Sequence, residues 1–359
     1  MNKNILIVFA LSLALVQQAP AIVSPITYNE FGTHAGNTFM TGWGNTANGT
    51  LSLNANTTGQ WNVAYGIHAL FANTTGWQNV AIGAEALSQN ATGDGNTASG
   101  YDALHQNSTG SGNTANGFST LCVNTTGSNN AASGASALYS NTTGSFNTAN
   151  GAYALYANTT GSFNTANGDS ALQNNKTGTE NVANGDQALI NNTTGTYNSA
   201  NGAQALYNNT TGSFNAADGA QALYNSTTGS SNIALGMGAG QNLISGSNNI
   251  YIGNDGVSSE SKTIRIGTKG VHTSIYLAGI GANSGGIVTV NSNGMLGVAN
   301  VSALTGPAGK NGTNGATGPQ GPAGSNAVFI PSTILTNTAF LQSLATNKVF
   351  LNALKNALK

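Results

Sequence analysis

Polar and small apolar residues alternate along most of this chain in short, recurring segments. Each segment reads Asn-x-Ala-x-Gly, as in Asn147, Ala149 and Gly151, with Thr148 and Asn150 at the intervening positions. Successive side chains of a β-strand point to opposite faces, so this alternation predicts a short strand whose small residues face the packed side.

The segment recurs every 17 residues without an insertion. Its glycine is found at Gly49, Gly66, Gly83, Gly100, Gly117, Gly134, Gly151, Gly168, Gly185, Gly202, Gly219, Gly236 and Gly253. Such uniform spacing indicates coils stacked in register. Two consecutive repeats illustrate the core positions: Asn147, Ala149, Gly151, Leu155, Asn164, Ala166, Gly168 and Leu172.

The rest of each repeat predicts how the coil closes. Ala-Leu follows the glycine, and an Asn-x-Thr-Gly segment, whose residue types favour turns, comes next. We expect two short strands and two turns per coil, since asparagine and glycine tolerate left-handed backbone in turns. The predicted fold of residues 45–253 is an all-β solenoid, a parallel β-roll about 60 Å long for a coil spacing of about 4.8 Å.

The small core of each coil favours an oligomer. One leucine and a few alanines per coil bury little apolar surface, whereas ordering the coil costs conformational entropy at every residue. Backbone ladders and stacked asparagines supply part of the difference. Packing against other copies of the chain would supply more, so we expect the β-roll to assemble.

A three-residue period in residues 306–326 predicts a collagen triple helix. Only glycine fits at the axis of three such chains. A flexible glycine-rich linker is the alternative, but it would not keep the frame for seven triplets. The glycines are Gly306, Gly309, Gly312, Gly315, Gly318, Gly321 and Gly324.

The C-terminal residues 327–359 have the apolar spacing of an α-helical coiled coil. Steps of three and four residues separate positions that would form a trimer seam over about three heptads. A single amphipathic helix, docked on the body of the protein or on a membrane surface, is the alternative. The seam positions are Asn337, Phe340, Leu344, Asn347, Leu351, Leu354 and Leu358.

The remaining segments flank the repeat. Residues 1–21 have the positive start, apolar stretch and small-residue end of a secretory signal peptide. Residues 22–44 would cap the head, and residues 254–305 contain apolar segments that we expect to form a β-rich cap or neck with an apolar core. We therefore expect a secreted chain without a transmembrane anchor after cleavage.

Charge and candidate chemistry argue against several functional classes. Only 5% of residues are charged and the net charge is −1, so phosphate neutralisation cannot drive nucleic-acid binding. The histidines and acids are interpreted as scattered surface residues, which predicts no catalytic or metal site and no cofactor. The single Cys122 is interpreted as a small apolar residue, not as a catalytic thiol. The sequence predicts that the protein is not an enzyme.

Two kinds of surface residue recur with the repeat. Asparagines in Asn-x-Thr turns match the glycosylation sequon, but turn chemistry already explains them. Aromatic residues precede the core asparagine or follow the leucine, where they either stack between coils or bind a ligand. As candidate ligand-binding residues we take Tyr139, Tyr156, Tyr207, Tyr224, Phe146, Phe163 and Phe214.

Because the chain combines the 17-residue repeat, the collagen-like run and the predicted trimer seam, it resembles the heads and stalks of trimeric autotransporter adhesins of the YadA-like class. It is also similar to bacterial tail-fibre-domain proteins, in which such repeats lead into segments like 248–254 and 263–267. The similarity to tail-fibre-domain proteins covers roughly residues 42–298. The resemblance implies a left-handed parallel β-roll, three copies about a threefold axis. Neither the adhesins' membrane anchor nor the tail-fibre chaperone domain has a counterpart here, so self-anchoring and autoproteolysis are not implied.

These observations favour a secreted or cell-surface homotrimeric fibre. Its repeat head would act in adhesion, binding an extracellular carbohydrate or protein ligand. A phage-tail-like fibre or a structural appendage without ligand binding is one alternative. An ice-binding solenoid is another, although the outward positions do not form a regular Thr-x-Thr array.

Overall fold

The computed structural model describes residues 29–31, 34–37, 40–275, 287–290 and 296–299. The chain divides into two compact units, Met1–Ile275 and Tyr276–Lys359. The signal peptide, the collagen-like run and the C-terminal seam predicted from the sequence lie outside the described residues. Among the described residues, no helix is long and apolar enough to cross a membrane.

The first unit is a parallel β-solenoid. Fifteen strands form a single sheet in which each strand pairs with the next along the chain. The register step is 17 residues up to β14 and 14 residues in the last step. The strands are β1 Asn29–Phe31, β2 Thr46–Asn48, β3 Val63–Tyr65, β4 Val80–Ile82, β5 Thr97–Ser99, β6 Thr114–Asn116, β7 Ala131–Ser133, β8 Thr148–Asn150, β9 Thr165–Asn167, β10 Val182–Asn184, β11 Ser199–Asn201, β12 Ala216–Asp218, β13 Ile233–Leu235, β14 Ile250–Ile252 and β15 Ile264–Ile266.

The predicted alternation within the repeat is confirmed. In the coil of β8, Asn147 and Ala149 are buried, whereas Thr148 is half-buried and Asn150 is exposed. Ala154 and Leu155 of the same coil are also fully buried. Equivalent residues of adjacent coils continue this packing, and the solenoid has one continuous apolar core of alanine and leucine.

The prediction of two strands per coil was wrong. Each complete coil in the described solenoid has one three-residue strand, and turns form the rest of the coil. Tyr153 and Leu155 have φ angles of 56° and 53°, in the left-handed region, which a strand cannot accommodate. The Asn-Thr-Thr-Gly turn does not use the left-handed backbone that asparagine and glycine tolerate, because neither Asn158 nor Gly161 has a positive φ.

One column of buried asparagines runs along the strand side of the core. The side-chain oxygen of Asn147 accepts hydrogen bonds from the backbone N–H and the side-chain amide of Asn164, at 3.0 and 3.2 Å. The Asn164 amide also donates to the carbonyl of Gly178, at 2.9 Å. The same three bonds recur from Asn62 to Asn232, so polar side chains satisfy one another inside an almost uncharged core.

A second column consists of the turn asparagines. The side-chain amide of Asn158 donates to the side-chain oxygen of Asn141, at 2.8 Å, and to the carbonyl of Gly161, at 2.9 Å. These asparagines are fully buried. Because both amide hydrogens are used and no space remains beside them, this column cannot carry glycans in the folded coil. Its members are Asn56, Asn73, Asn90, Asn107, Asn124, Asn141, Asn158, Asn175, Asn192 and Asn209.

The last two strands of the solenoid differ from the expected apolar cap. Ile252, Ile264 and Ile266 are exposed instead of forming a core. The inward position of β14 is taken by the buried Tyr251, and Arg265 occupies the corresponding position of β15. The apolar segments form strands here, but Ile252, Ile264 and Ile266 lie on the exposed face of the sheet.

The second unit is described only at an antiparallel pair of strands, β16 Ile287–Val290 and β17 Leu296–Ala299. In their register, Ile287 pairs with Ala299 and Val290 with Leu296. This pair is consistent with strand structure in the region between the repeats and the collagen-like run.

Candidate binding surfaces

An exposed aromatic row precedes the core asparagines. Phe146 and Phe163 stack with ring centroids 5.0 Å apart and planes inclined by 3°. Tyr197 and Phe214 stack in the same way, at 5.0 Å and 5°. All four rings are exposed. The row turns outward because its backbone is left-handed, with φ of 59° at Phe146, which directs each ring away from the core.

A second aromatic row follows the buried leucines. Tyr139 stacks on Tyr156 at 5.3 Å, and Tyr207 stacks on Tyr224 at 5.0 Å. These rings are half-buried. The seven candidate residues therefore lie in two separate rows of stacked pairs, so the geometry supports inter-coil packing and an extended binding surface, not a single pocket.

Three tryptophans form a third aromatic feature near the start of the solenoid. Trp43 and Trp61 meet edge to face at 4.7 Å, and Trp61 and Trp77 are tilted at 6.1 Å. Equal repeat positions do not predict this grouping, because Trp43 and Trp77 lie one position earlier in the repeat than Trp61. The signal was present, since residues 43, 61 and 77 are separated by about one repeat each.

The outward face of the sheet changes character along its length. Thr148, Asn150 and equivalent residues make its middle polar. At the C-terminal end, exposed aliphatic side chains occupy adjacent strands instead. They are Ile233, Leu235, Ile252, Ile264 and Ile266.

A shallow groove of about 560 Å³ crosses the turns of the later coils. Asn174, Asn191 and Asn208 line it together with Lys176 and Thr193. The Asn174 amide donates to Asn191 at 3.3 Å, and the Asn191 amide donates to Asn208 at 3.5 Å. Because these groups bond one another along the groove, its lining consists of structural hydrogen-bonding rows.

Histidines and acids meet in one cluster, contrary to the prediction that they would be scattered. His68 Nδ1 lies 2.6 Å from Glu85 Oε1. His105 Nδ1 lies 3.8 Å from Glu85 Oε2 and 3.6 Å from Asp102 Oδ1. His68, Glu85 and Asp102 occupy the same repeat position in successive coils, which the sequence spacing would have revealed.

The electrostatics of this cluster follow from its partial burial. Burial alone would raise the pKa of the Glu85 carboxyl, but hydrogen bonds from His68 and Ser88 and the two nearby imidazoles hold that pKa below its usual value. Burial instead raises the pKa of Asp102, with the charge of Glu85 adding to the effect and His105 opposing it. In the part of the chain that the structure describes, no three histidine, cysteine or acidic side chains are arranged to hold a metal ion.

Cys122 is buried. Burial raises the pKa of its thiol to about 11, and the carboxylate of Asp102 adds to the shift. A buried thiol that remains protonated near neutral pH is a poor nucleophile.

Comparison with known proteins gives no identification. No family model, no curated protein and no solved structure matches this chain.

Proposed function

We propose that this protein is a secreted or cell-surface, homotrimeric fibrous protein with an adhesin-like function. Its repeat head would bind an extracellular carbohydrate or protein ligand on a host, a surface or a matrix. The observation that carries this proposal is the presence of exposed, stacked aromatic pairs, such as Phe146 and Phe163, on a regular solenoid. Exposed aromatic surface of this kind is typical of interaction sites.

The proposed assembly combines the solenoid with the sequence of the remaining chain. Three left-handed β-rolls would pack about a threefold axis, with a collagen triple helix at 306–326 and a coiled coil at 327–359. The exposed aliphatic residues of β13 to β15, including Leu235 and Ile264, support association, since burying them removes apolar surface from water. Glycine at every third position supports three chains, because a triple helix requires it.

Light scattering on the chain without residues 1–21 tests the assembly. We expect three times the mass of one chain. Deleting 306–359 should weaken the trimer and lower the melting temperature of the head. A monomeric full-length chain would contradict the proposed assembly.

Binding of the full-length chain to immobilised extracellular-matrix proteins and to a glycan array tests the function. We expect saturable binding to at least one ligand, weakened in a variant carrying Phe146→Ser and Phe163→Ser. A variant with Thr148→Ser and Thr165→Ser changes neighbouring outward positions without removing rings and serves as its control. Absence of saturable binding would instead favour a structural appendage, in which the aromatic pairs only hold coils together.

A further inference from the structure

The three tryptophans of the chain lie together on consecutive coils, on one ridge. Backbone hydrogen bonds from Trp61 N to Trp43 O and from Gln78 N to Gln60 O, at 3.1 and 2.9 Å, hold these coils in register. Tryptophan therefore alternates with glutamine along the two positions that precede the core asparagine. We call Trp43, Trp61 and Trp77, together with the adjacent Gln60 and Gln78, the tryptophan ridge.

The solenoid itself does not require tryptophan at these positions. The next coils carry Asp94 and Gly95, then Ser111 and Gly112, at the equivalent places and keep the same backbone. The indole side chains are also 40–48% exposed, so much of their large apolar surface remains in water. Three exposed indoles on one ridge leave apolar surface that a ligand could cover.

The rim of the ridge supplies hydrogen-bonding groups. Within the described residues, the side-chain amides of Gln60 and Gln78 make no hydrogen bond, and both side chains are accessible. At the end of the ridge, the carboxylate of Asp94 accepts a hydrogen bond from Trp77 N, at 2.9 Å. Beyond it, a side chain at Gly95 would meet no atom within 4 Å, so the surface there is open.

We propose that the tryptophan ridge binds neutral pyranose sugars of an extracellular glycan. The electron-rich faces of indole rings attract the C–H groups of a sugar ring, as they attract other positively polarised edges. The amides of Gln60 and Gln78 and the carboxylate of Asp94 are placed to bond sugar hydroxyl groups. This combination of an apolar platform with a few polar groups is typical of sites for small polar ligands.

The charge of the ridge selects a neutral sugar. The sequence has no lysine or arginine between residues 4 and 175, so no permanently charged cation on these coils would pair with an acidic sugar. Asp94 would repel one. The inference rests on the proposed adhesin-like function and names the ligand class and site within it.

Tryptophan fluorescence of the full-length chain reports on this ridge alone, because the chain has no other tryptophan. Cellohexaose and chitohexaose are the neutral probes, and oligogalacturonate is the acidic one. We expect a saturable change in emission with at least one neutral probe and none with the acidic probe. Trp77→Ala, at an exposed side chain, should weaken binding at least tenfold in calorimetry and leave the melting temperature nearly unchanged.

Phe118→Ala, which removes an exposed ring from a later coil outside the ridge, is the matched control and should bind the probes normally. No response to either neutral probe, a response only to the acidic probe, or full affinity in Trp77→Ala would overturn the inference. The proposed function would survive such a result if the chain still bound another array glycan or matrix protein and lost that binding in the Phe146 and Phe163 variant. If no ligand bound at all, both would fail.

Discussion

Asn164 donates both its backbone N–H and its side-chain amide to the same oxygen, the Oδ1 of Asn147 in the preceding coil. The next coil repeats the arrangement, since Asn181 donates its N–H and amide to the oxygen of Asn164. Each asparagine thus links three coils. The buried asparagine column therefore couples the stability of each coil to that of its neighbours. In other folds a larger apolar core has this role.

Replacing Asn164 with alanine should therefore be strongly destabilising. The change leaves the backbone N–H of Asn181 without its partner. It also removes one of the two hydrogen bonds of the Asn181 side-chain amide and one of the two accepted by the carbonyl of Gly178. An orphaned buried donor costs about 1–3 kcal/mol and each further lost hydrogen bond about 0.5–1.5 kcal/mol, so we expect a loss of at least ~2 kcal/mol. Urea unfolding measures it.

The exposed Asn150 provides the control. Its amide also bonds the next coil, at Asn167 Oδ1, 2.9 Å away, but water can replace that bond. Asn150→Ala should cost less than about 1 kcal/mol. Equal losses in the two variants would show that the buried column has no special role.

The column of turn asparagines ends at a defect. Asn209 is its last member, and the next position is Ser226. Among the described residues, the buried Asn209 Oδ1 and Ser226 Oγ have no hydrogen-bond partner. Serine is too short to reach the preceding coil as the amide of Asn192 reaches Asn175, at 2.8 Å.

Ser226→Asn should extend the column and stabilise the protein. Its amide would donate to Asn209 Oδ1 and to the carbonyl of Gly229, as in the coils before it. We expect a gain of about 1 kcal/mol in the free energy of unfolding, measured by urea titration. Thr228→Asn, at an exposed position of the same turn, should have no measurable effect. Leu243 takes the equivalent position in the following coil. If Ser226→Asn were destabilised, that coil would leave no room for the asparagine side chain.

Part of this structure could be predicted from residue types alone. The alternation of Asn147, Thr148 and Ala149 specifies a strand and its inward face, and the period of 17 specifies the register. The turns could not be predicted, because left-handed backbone at Leu155 opposes the local preference of leucine. That conformation persists because Leu155 is fully buried and its N–H donates to Ala171 O, at 3.0 Å.

The histidine–acid cluster likewise depends on how the coils stack, and not only on the pattern within one repeat. His105 lies in a different repeat position from His68, Glu85 and Asp102, yet it is three residues after Asp102 and faces the same side of the coil. Equal positions of the repeat therefore bring together His68, Glu85 and Asp102 but not His105. A two-dimensional map of the repeat, with adjacent positions as well as adjacent coils, would have placed these side chains together.

Glycine at the end of strands β2 to β12 is required by close approach between coils. Gly168 has a φ of +140°, and a Cβ there would lie 2.6 Å from the carbonyl carbon of Gly185. Gly168→Ala combines backbone strain with a backbone clash, so we expect a loss of at least ~3 kcal/mol, measured by chemical denaturation. Gly95→Ala is the control. Its φ of +63° is left-handed, but its Cβ would meet nothing within 4 Å, so we expect a loss of about 1 kcal/mol.

The last coil contains an ion pair that should make stability depend on pH. Arg265 Nε lies 2.8 Å from each oxygen of Glu260, and Nη2 lies 2.6 Å from Oε2. The hydrogen bonds from Arg265 outweigh the effect of burial and hold the pKa of Glu260 below its usual 4.5. The carboxyl group is nearly buried, and Val257 N also donates to it, at 3.0 Å.

Because the pKa of Glu260 is lower in the folded chain than in the unfolded chain, its contribution to stability is fully present above pH 4.5 and disappears as the pH falls through the folded-state value. Glu260→Gln should lower the melting temperature at pH 7. At pH 2.5 its melting temperature should be close to that of the unmodified protein, so the difference between the two proteins should shrink as the pH falls. Calorimetry between pH 7 and 2.5 measures the difference. Asp218→Asn, which removes an exposed carboxylate from another coil, should keep the acid dependence of the unmodified protein. If the melting temperatures of Glu260→Gln and the unmodified protein differed by the same amount at every pH, the ion pair would not stabilise the last coil.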